Sequence, residues 1–330
     1  MPTWGEILKE IKESTPEGQR PNLDAIRRRY LVELQNHTKR PTILYATRFT
    51  QGYPDVPLSS LVLNDEDLQG FMEVTHKLQG PNLDLILHSP GGVPESVEAI
   101  VSLLRSKFSH IRVIVPQLAM SAATMLACAS NGIVMGDHSF ISPIDPQLLL
   151  HTKLGPRMVP AQAILEQFER AKKESANLEE FSAWLPMLQQ YGPDLLVTCA
   201  HLSENANDRV EEWLVKYMFK RDKNKDEKAK DVVKWLSDHS SWKSHGRHIS
   251  RKEADKHGLK IEKIEKDVVA EDLFLSVFHA TMHTFGMLPF VAKIIENHRG
   301  VALIRNVALQ GIQQQPKTPP IVREEEGKQN

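Results

Sequence analysis

Apolar residues recur at helical spacing at the start of the chain. Trp4, Ile7, Leu8 and Ile11 mark one stretch from Thr3 to about Thr15, and Leu23, Ile26, Leu31, Val32 and Leu34 mark a second from Asn22 to Gln35. Positions three and four apart share a helix face, so the spacing predicts an amphipathic helical arm interrupted by Pro16, Gly18 and Pro21. From Arg40 the period changes. Arg40 to Thr47, Leu83 to His88, Ile111 to Val115 and Gly132 to Gly136 are short apolar runs of the kind that strands buried on both faces require. Helical segments lie between them, at Asn64 to Leu78, at Pro94 to Phe108, which is amphipathic, and at Ser121 to Ser130, which reads as a buried helix. Strands alternating with helices predict an α/β fold, a mostly parallel sheet with flanking helices, whose ligands collect at the C-terminal ends of the strands.

Beyond Pro160 the pattern becomes helical, over Ala161 to Lys173, Leu178 to Gln190, Asp194 to His201, Asn205 to Phe219 and Val232 to Asp238. The run Lys220 to Lys230 mixes both charge signs and reads as a solvated loop or helix end. Glu271 to Ile312 reads as helical and is too apolar to stand exposed. The expected organisation is an arm over 1–38, an α/β body over 39–265 with a helical insertion at about 175–240, C-terminal helices over 266–312 and a disordered tail over 313–330.

Composition narrows the function. The 330 residues carry a net charge of -1, so no global field recruits nucleic acid or an acidic membrane surface. No run approaches the roughly 18 uninterrupted apolar residues of a spanning helix. The charged N-terminal stretch lacks the apolar core of a signal peptide. Cys128 and Cys199 stand in apolar helical contexts without metal-ligand spacing, and are expected to be reduced core residues of a cytoplasmic protein. No Gly-x-Gly-x-x-Gly fingerprint occurs, so neither a nicotinamide cofactor nor a metal is expected.

Three features bear on chemistry. Ser121 follows a strand and opens a segment rich in Ala and Met, where helix N-terminal amides favour a developing oxyanion. Ser89-Pro90-Gly91-Gly92 ends a strand, and its glycines permit close backbone approach. In Ser142-Pro143-Ile144-Asp145-Pro146, two prolines bracket an acid suited to orienting a histidine. Downstream, His245 and His248 lie in a loop before Ser250 and Glu253, which have capping-box spacing. Taken singly, a helix-start serine, an ordinary glycine turn and a loop-capping aspartate account for these features equally well.

Their order resembles a known superfamily. Strand then Ser89-Pro90-Gly91-Gly92, strand then Ala119-Met120-Ser121-Ala122-Ala123, and Ser250-Arg251-Lys252-Glu253-Ala254-Asp255-Lys256-His257-Gly258-Leu259 together resemble the ClpP/crotonase superfamily. The chain most resembles its serine dehydrogenase proteinase family, from about Pro41 to Lys260. The resemblance implies a Clp fold, a nucleophile at Ser121 and an oxyanion hole built from the amides of Gly91, Gly92 and Ala122 or Met120. It also implies a Ser, Asp, His order met by Ser121, Asp145 and His245, with His248 as an alternative base. Clp subunits carry a histidine where Asp145 stands, a permissible swap because the triad recurs in different chain orders. The implied protein is a homo-oligomeric serine peptidase acting on a peptide or protein substrate. Rival readings are a Ser-Lys dyad like that of signal-peptide peptidases, with Lys153 or Lys172 as base, a non-catalytic oligomeric scaffold, and an acyl-CoA-processing crotonase.

Overall fold

A computed structural model describes residues 3–51, 56–152 and 155–308. The arm is two helices, α1 (Trp4–Glu13) and α2 (Leu23–Thr38). Thr3 caps α1 by accepting from the Glu6 N–H while its own N–H donates to the Glu6 carboxylate, and Asn22 caps α2. The body follows as β1 (Thr42–Thr47), α3 (Asp65–Thr75), β2 (Asn82–His88), α4 (Pro94–Lys107), β3 (His110–Val115), β4 (Leu118–Ala119), α5 (Ala122–Cys128), β5 (Gly132–Met135), β6 (Phe140–Ile141), β7 (Gln147–Thr152) and β8 (Gly155–Pro160). Helices α6 (Ala161–Glu174), α7 (Leu178–Leu188), α8 (Leu195–Trp213), α9 (Lys225–Ser237) and α10 (His239–Trp242) lead to β9 (Ile249–Ser250), α11 (Arg251–Lys256) and β10 (Ile261–Lys263). The chain closes with α12 (Val268–Met287), β11 (Val291–Asn297) and β12 (Ala302–Asn306).

The seven-stranded sheet runs β10-β5-β3-β2-β1-β11-β12. Its first five strands are parallel, while β11 is antiparallel to both β1 and β12. Alternate residues face opposite ways. Leu83, Leu85 and Leu87 of β2 join a core with Phe71, Val97 and Ala123, whereas Ile86 joins one with Leu31 of α2 and Val277 of α12. Helices therefore cover both faces, as the apolar runs require. Two smaller sheets, β4-β6-β9 and the β7-β8 hairpin, lie outside the main one.

The structure departs from expectation mainly near its C-terminus. The C-terminal helices expected over 266–312 are one helix, α12, followed by two strands that extend the sheet beside β1. Lys293 and Glu296 interrupt the apolar run of β11 and disguise it, although all seven residues of the strand are buried. Each charge is met: Lys293 Nζ lies 2.6 Å from Asp67 Oδ1, and Glu296 accepts from Arg27 at 2.5 Å and also from Arg28. The second pair ties the arm to the sheet, and such pairs are strongly destabilising when one partner is removed. Segments expected as separate helices at Asp194 to His201 and Asn205 to Phe219 are joined in α8 and a following π-turn. The short strands β4, β6, β9 and β10 and the β7-β8 hairpin were not signalled by periodicity. The tail from Gln313 lies outside the described residues.

His88 closes β2, fully buried between the rings of Phe49 and Phe278, whose centroids lie 4.7 and 5.1 Å away. Burial pushes its pKa from the ordinary 6.5 down to about 3. Between those values the unfolded chain holds a proton here that the folded chain does not, so stability falls as pH drops below about 6.5. The contribution is at most about 1.4 kcal/mol per pH unit. Urea midpoints measured from pH 7 down to pH 4 should therefore decline, and His88→Asn should decline less steeply.

Candidate active site

Ser121 is the residue immediately before α5, and its backbone sits at φ 52° and ψ −121°, a conformation costly for any side chain. Its hydroxyl makes no capping bond to the helix. A serine chosen to start a helix would do so from an extended backbone. The strained geometry instead turns the side chain out at a strand-to-helix corner, where Ser121 remains partly exposed although α5 behind it is wholly buried. Neighbours enforce the corner. The Ser121 N–H donates to Ser142 Oγ at 2.6 Å, Thr124 Oγ1 donates to Ala119 O at 2.8 Å, and the Ser142 N–H donates to Thr124 Oγ1 at 3.0 Å.

The Ser-Pro-Gly-Gly turn is stitched to this corner. Ser89 N–H donates to Leu118 O at 3.1 Å, and Met120 N–H donates to Ser89 O at 2.9 Å. Gly91 has φ 94°, and a Cβ there would fall 2.5 Å from Met120 O, 2.7 Å from Ser121 Cβ and 2.8 Å from Ala122 N. Only glycine can stand so close. Of the amides expected in an oxyanion hole, that of Gly91 already donates to Ser89 Oγ at 3.2 Å. Leu63 bonds Gly91 O and the Val93 N–H on one side of the turn, so the Gly92 N–H points to the other side. As the first helical residue, Ala122 has no intrahelical acceptor for its amide.

Asp145 lies at the end of the loop that Ser142 begins, its side chain only 2% exposed. The Ile144 N–H donates to Leu236 O at 3.0 Å, which brings the end of α9 and the segment beyond it to the acid. Two imidazoles then meet the carboxylate: His245 Nδ1 lies 2.8 Å from Oδ1 and His239 Nδ1 lies 3.0 Å from Oδ2. An ionised carboxylate only accepts, so both rings carry the proton on Nδ1, and each neutral ring keeps a basic Nε2.

The other candidates lie elsewhere. His248 is exposed and stacks on Phe140 with ring centroids 5.2 Å apart. Lys172 is exposed on α6 and paired with Glu169 at 3.5 Å, without the burial that would make a lysine a base near neutral pH. Lys153 lies outside the described residues. The capping-box reading at α11 holds for half of the pair: Ser250 accepts from the Glu253 N–H, while the Glu253 carboxylate faces Arg247 at 3.5 Å.

Sequence reasoning missed His239 and Ser142. Ser142 stood inside a motif read for its acid. His239 is one of fourteen histidines, in a Ser-Asp-His-Ser stretch with no distinguishing spacing. A signal that α9 ends against the Asp145 loop would have been needed to find it.

A family model described as ClpP-like SDH-type serine proteinase matches residues 14–297. Among curated proteins, the uncharacterized protein MJ0137 of Methanocaldococcus jannaschii is 26% identical over 248 residues, 75% of this chain and 77% of that protein. Uncharacterized protein MJ1495 of the same organism is 30% identical over 155 residues, covering 47% of this chain and 44% of that protein. Among solved structures, a mutant of the 1510-N membrane-bound stomatin-specific protease in complex with a substrate peptide matches with a TM-score of 0.28 and 16% identity, over 64% of this chain and 93% of that one.

The contact between Gly91 and the corner yields a direct expectation. Gly91→Ala should abolish reaction with a serine-directed fluorophosphonate probe, because its Cβ collides with backbone atoms that cannot yield. Gly132→Ala, where the nearest atom is 3.6 Å away, should react as the wild type does.

Proposed function

We infer the mechanism from one premise: this chain belongs to the ClpP-like SDH-type serine proteinase family, and it is a serine peptidase. In the proposed reaction, Ser121 Oγ attacks the carbonyl carbon of a scissile peptide bond while His245 Nε2 takes its proton. Asp145 holds the imidazole in the required tautomer and stabilises the imidazolium that forms. The amides of Gly92 and Ala122 receive the oxyanion, and Gly91 permits the close approach. His245 returns the proton to the leaving amine, and water, deprotonated by the same imidazole, releases the acyl group.

The observation that carries this reading is the backbone of Ser121, strained and capping nothing. Strain of this kind persists where it is part of a mechanism. The 2.8 Å bond between His245 and Asp145 supports His245 as the base, and His248 has its ring on Phe140 instead. The substrate is a peptide or protein.

The proposed protein is a homo-oligomer. Helix α7 supports this, because it is apolar yet has no buried residue, with Leu178 85% exposed in the single chain. Cys128 and Cys199 are buried and unpaired, which suits a reducing cytoplasm. Among the described residues no helix is long and apolar enough to cross a membrane.

Fluorophosphonate labelling with mass-spectrometric mapping tests the nucleophile. The label should map to Ser121 and vanish in Ser121→Ala; labelling that persists in that variant would sink the assignment. Asp145→Asn should fold and bind substrate but lose on the order of 10³-fold to 10⁴-fold in kcat, because its amide group favours the wrong imidazole tautomer. Steady-state kinetics on a casein or fluorogenic peptide substrate measures this.

A further inference from the structure

We propose that His239 is a positioning residue for this reaction, acting through Asp145 on His245; the inference rests on the triad reading above. The Asp145 carboxylate is nearly sealed from water, and its two oxygens are divided between two imidazoles, His245 on Oδ1 and His239 on Oδ2. A carboxyl group held at one oxygen alone can pivot about its χ2 bond. Held at both, it has a fixed plane, and Oδ1 can meet His245 Nδ1 in one direction only.

The two histidines are supported unequally. His239 opens α10, a short turn anchored at both ends. Asp238 caps it by accepting from the Ser241 N–H and from the hydroxyls of Ser240 and Ser241, and the Lys243 N–H donates back to His239 O at 2.8 Å. Trp242, at the last position of the turn, is buried, bonds Trp235 O at 2.7 Å and packs edge-on against the Trp235 ring. His245 follows in a turn closed by one backbone bond, from the Arg247 N–H to Ser244 O at 3.2 Å. The imidazole on the more heavily bonded turn fixes the acid, and the acid in turn fixes the other imidazole.

The test is a double-mutant cycle between His239 and Asp145, read as kcat and KM with the intact chain and accompanied by thermal melting. His239→Ala should lower kcat by about 10-fold to 100-fold, the effect of one hydrogen bond to a charged group, with KM little changed. His239→Asn, which keeps an N–H near the place of Nδ1, should restore most of that loss. In the Asp145→Asn background, His239→Ala should cost almost nothing further, because both act through one carboxylate. An alanine variant as active as wild type would overturn the inference. So would a loss that adds in full to that of Asp145→Asn, or an equal loss in the asparagine variant. Activity retained in His245→Ala but lost in His239→Ala would exchange the roles of the two residues and overturn it as well. If Asp145→Asn itself has no effect, the triad reading fails; if it is costly while His239→Ala is silent, only the present inference fails.

Discussion

A carboxylate shut away from water must be met by donors, and Asp145 sets that requirement at the centre of the site. The loop that carries it is bound to two distant parts of the chain. Ser142 takes the amide of Ser121, and Ile144 takes a carbonyl at the end of α9. The second bond brings α10 and the loop after it within reach, so that two imidazoles supply the donors the acid needs. The strand order alone does not explain this assembly. β6, just before the acid, and β9, just after the histidines, pair with each other in the small sheet, fixing both segments from the far side.

Around that centre the backbone holds a conformation it would not adopt alone. The φ and ψ of Ser121 cost on the order of 1–3 kcal/mol, and the neighbours that impose them are all short polar or small residues. Ser142 and Thr124 hold the corner by hydrogen bonds, and Gly91 fits against it because it has no side chain. A side chain at Gly91, or the loss of the hydroxyl at Ser142 or Thr124, would disturb the corner.

Much of this was legible in the sequence because periodicity and turn chemistry are local. The arm, the parallel strands and the helices between them follow from apolar spacing, and Ser121, the glycine pair and Asp145 each lie at a strand end where a site in such a fold is expected. What escaped was decided by tertiary contact. β11 carries Lys293 and Glu296 at buried positions, and Asp67, Arg27 and Arg28, remote in sequence, make that tolerable. His239 is unremarkable until the end of α9 is bonded to the Asp145 loop. The role expected of the Gly91 amide changed for a similar reason: a hydroxyl two residues earlier had already claimed it.

The same molecule meets its buried acids in two different ways. Asp84, near the N-terminal edge of the sheet, is as buried as Asp145, and its carboxylate is met by the guanidinium groups of Arg40 and Arg112. A guanidinium offers donors and no acceptor, so these partners can hold the acid but cannot take up a further proton. Asp145 is met by imidazoles, each of which has a second ring nitrogen besides the one that bonds the acid. Substituting arginines there would supply donors equally well, but it would remove the second ring nitrogen that the proposed reaction needs at His245. On the proposed mechanism, His245 answers to reactivity and His239 to the geometry of the acid.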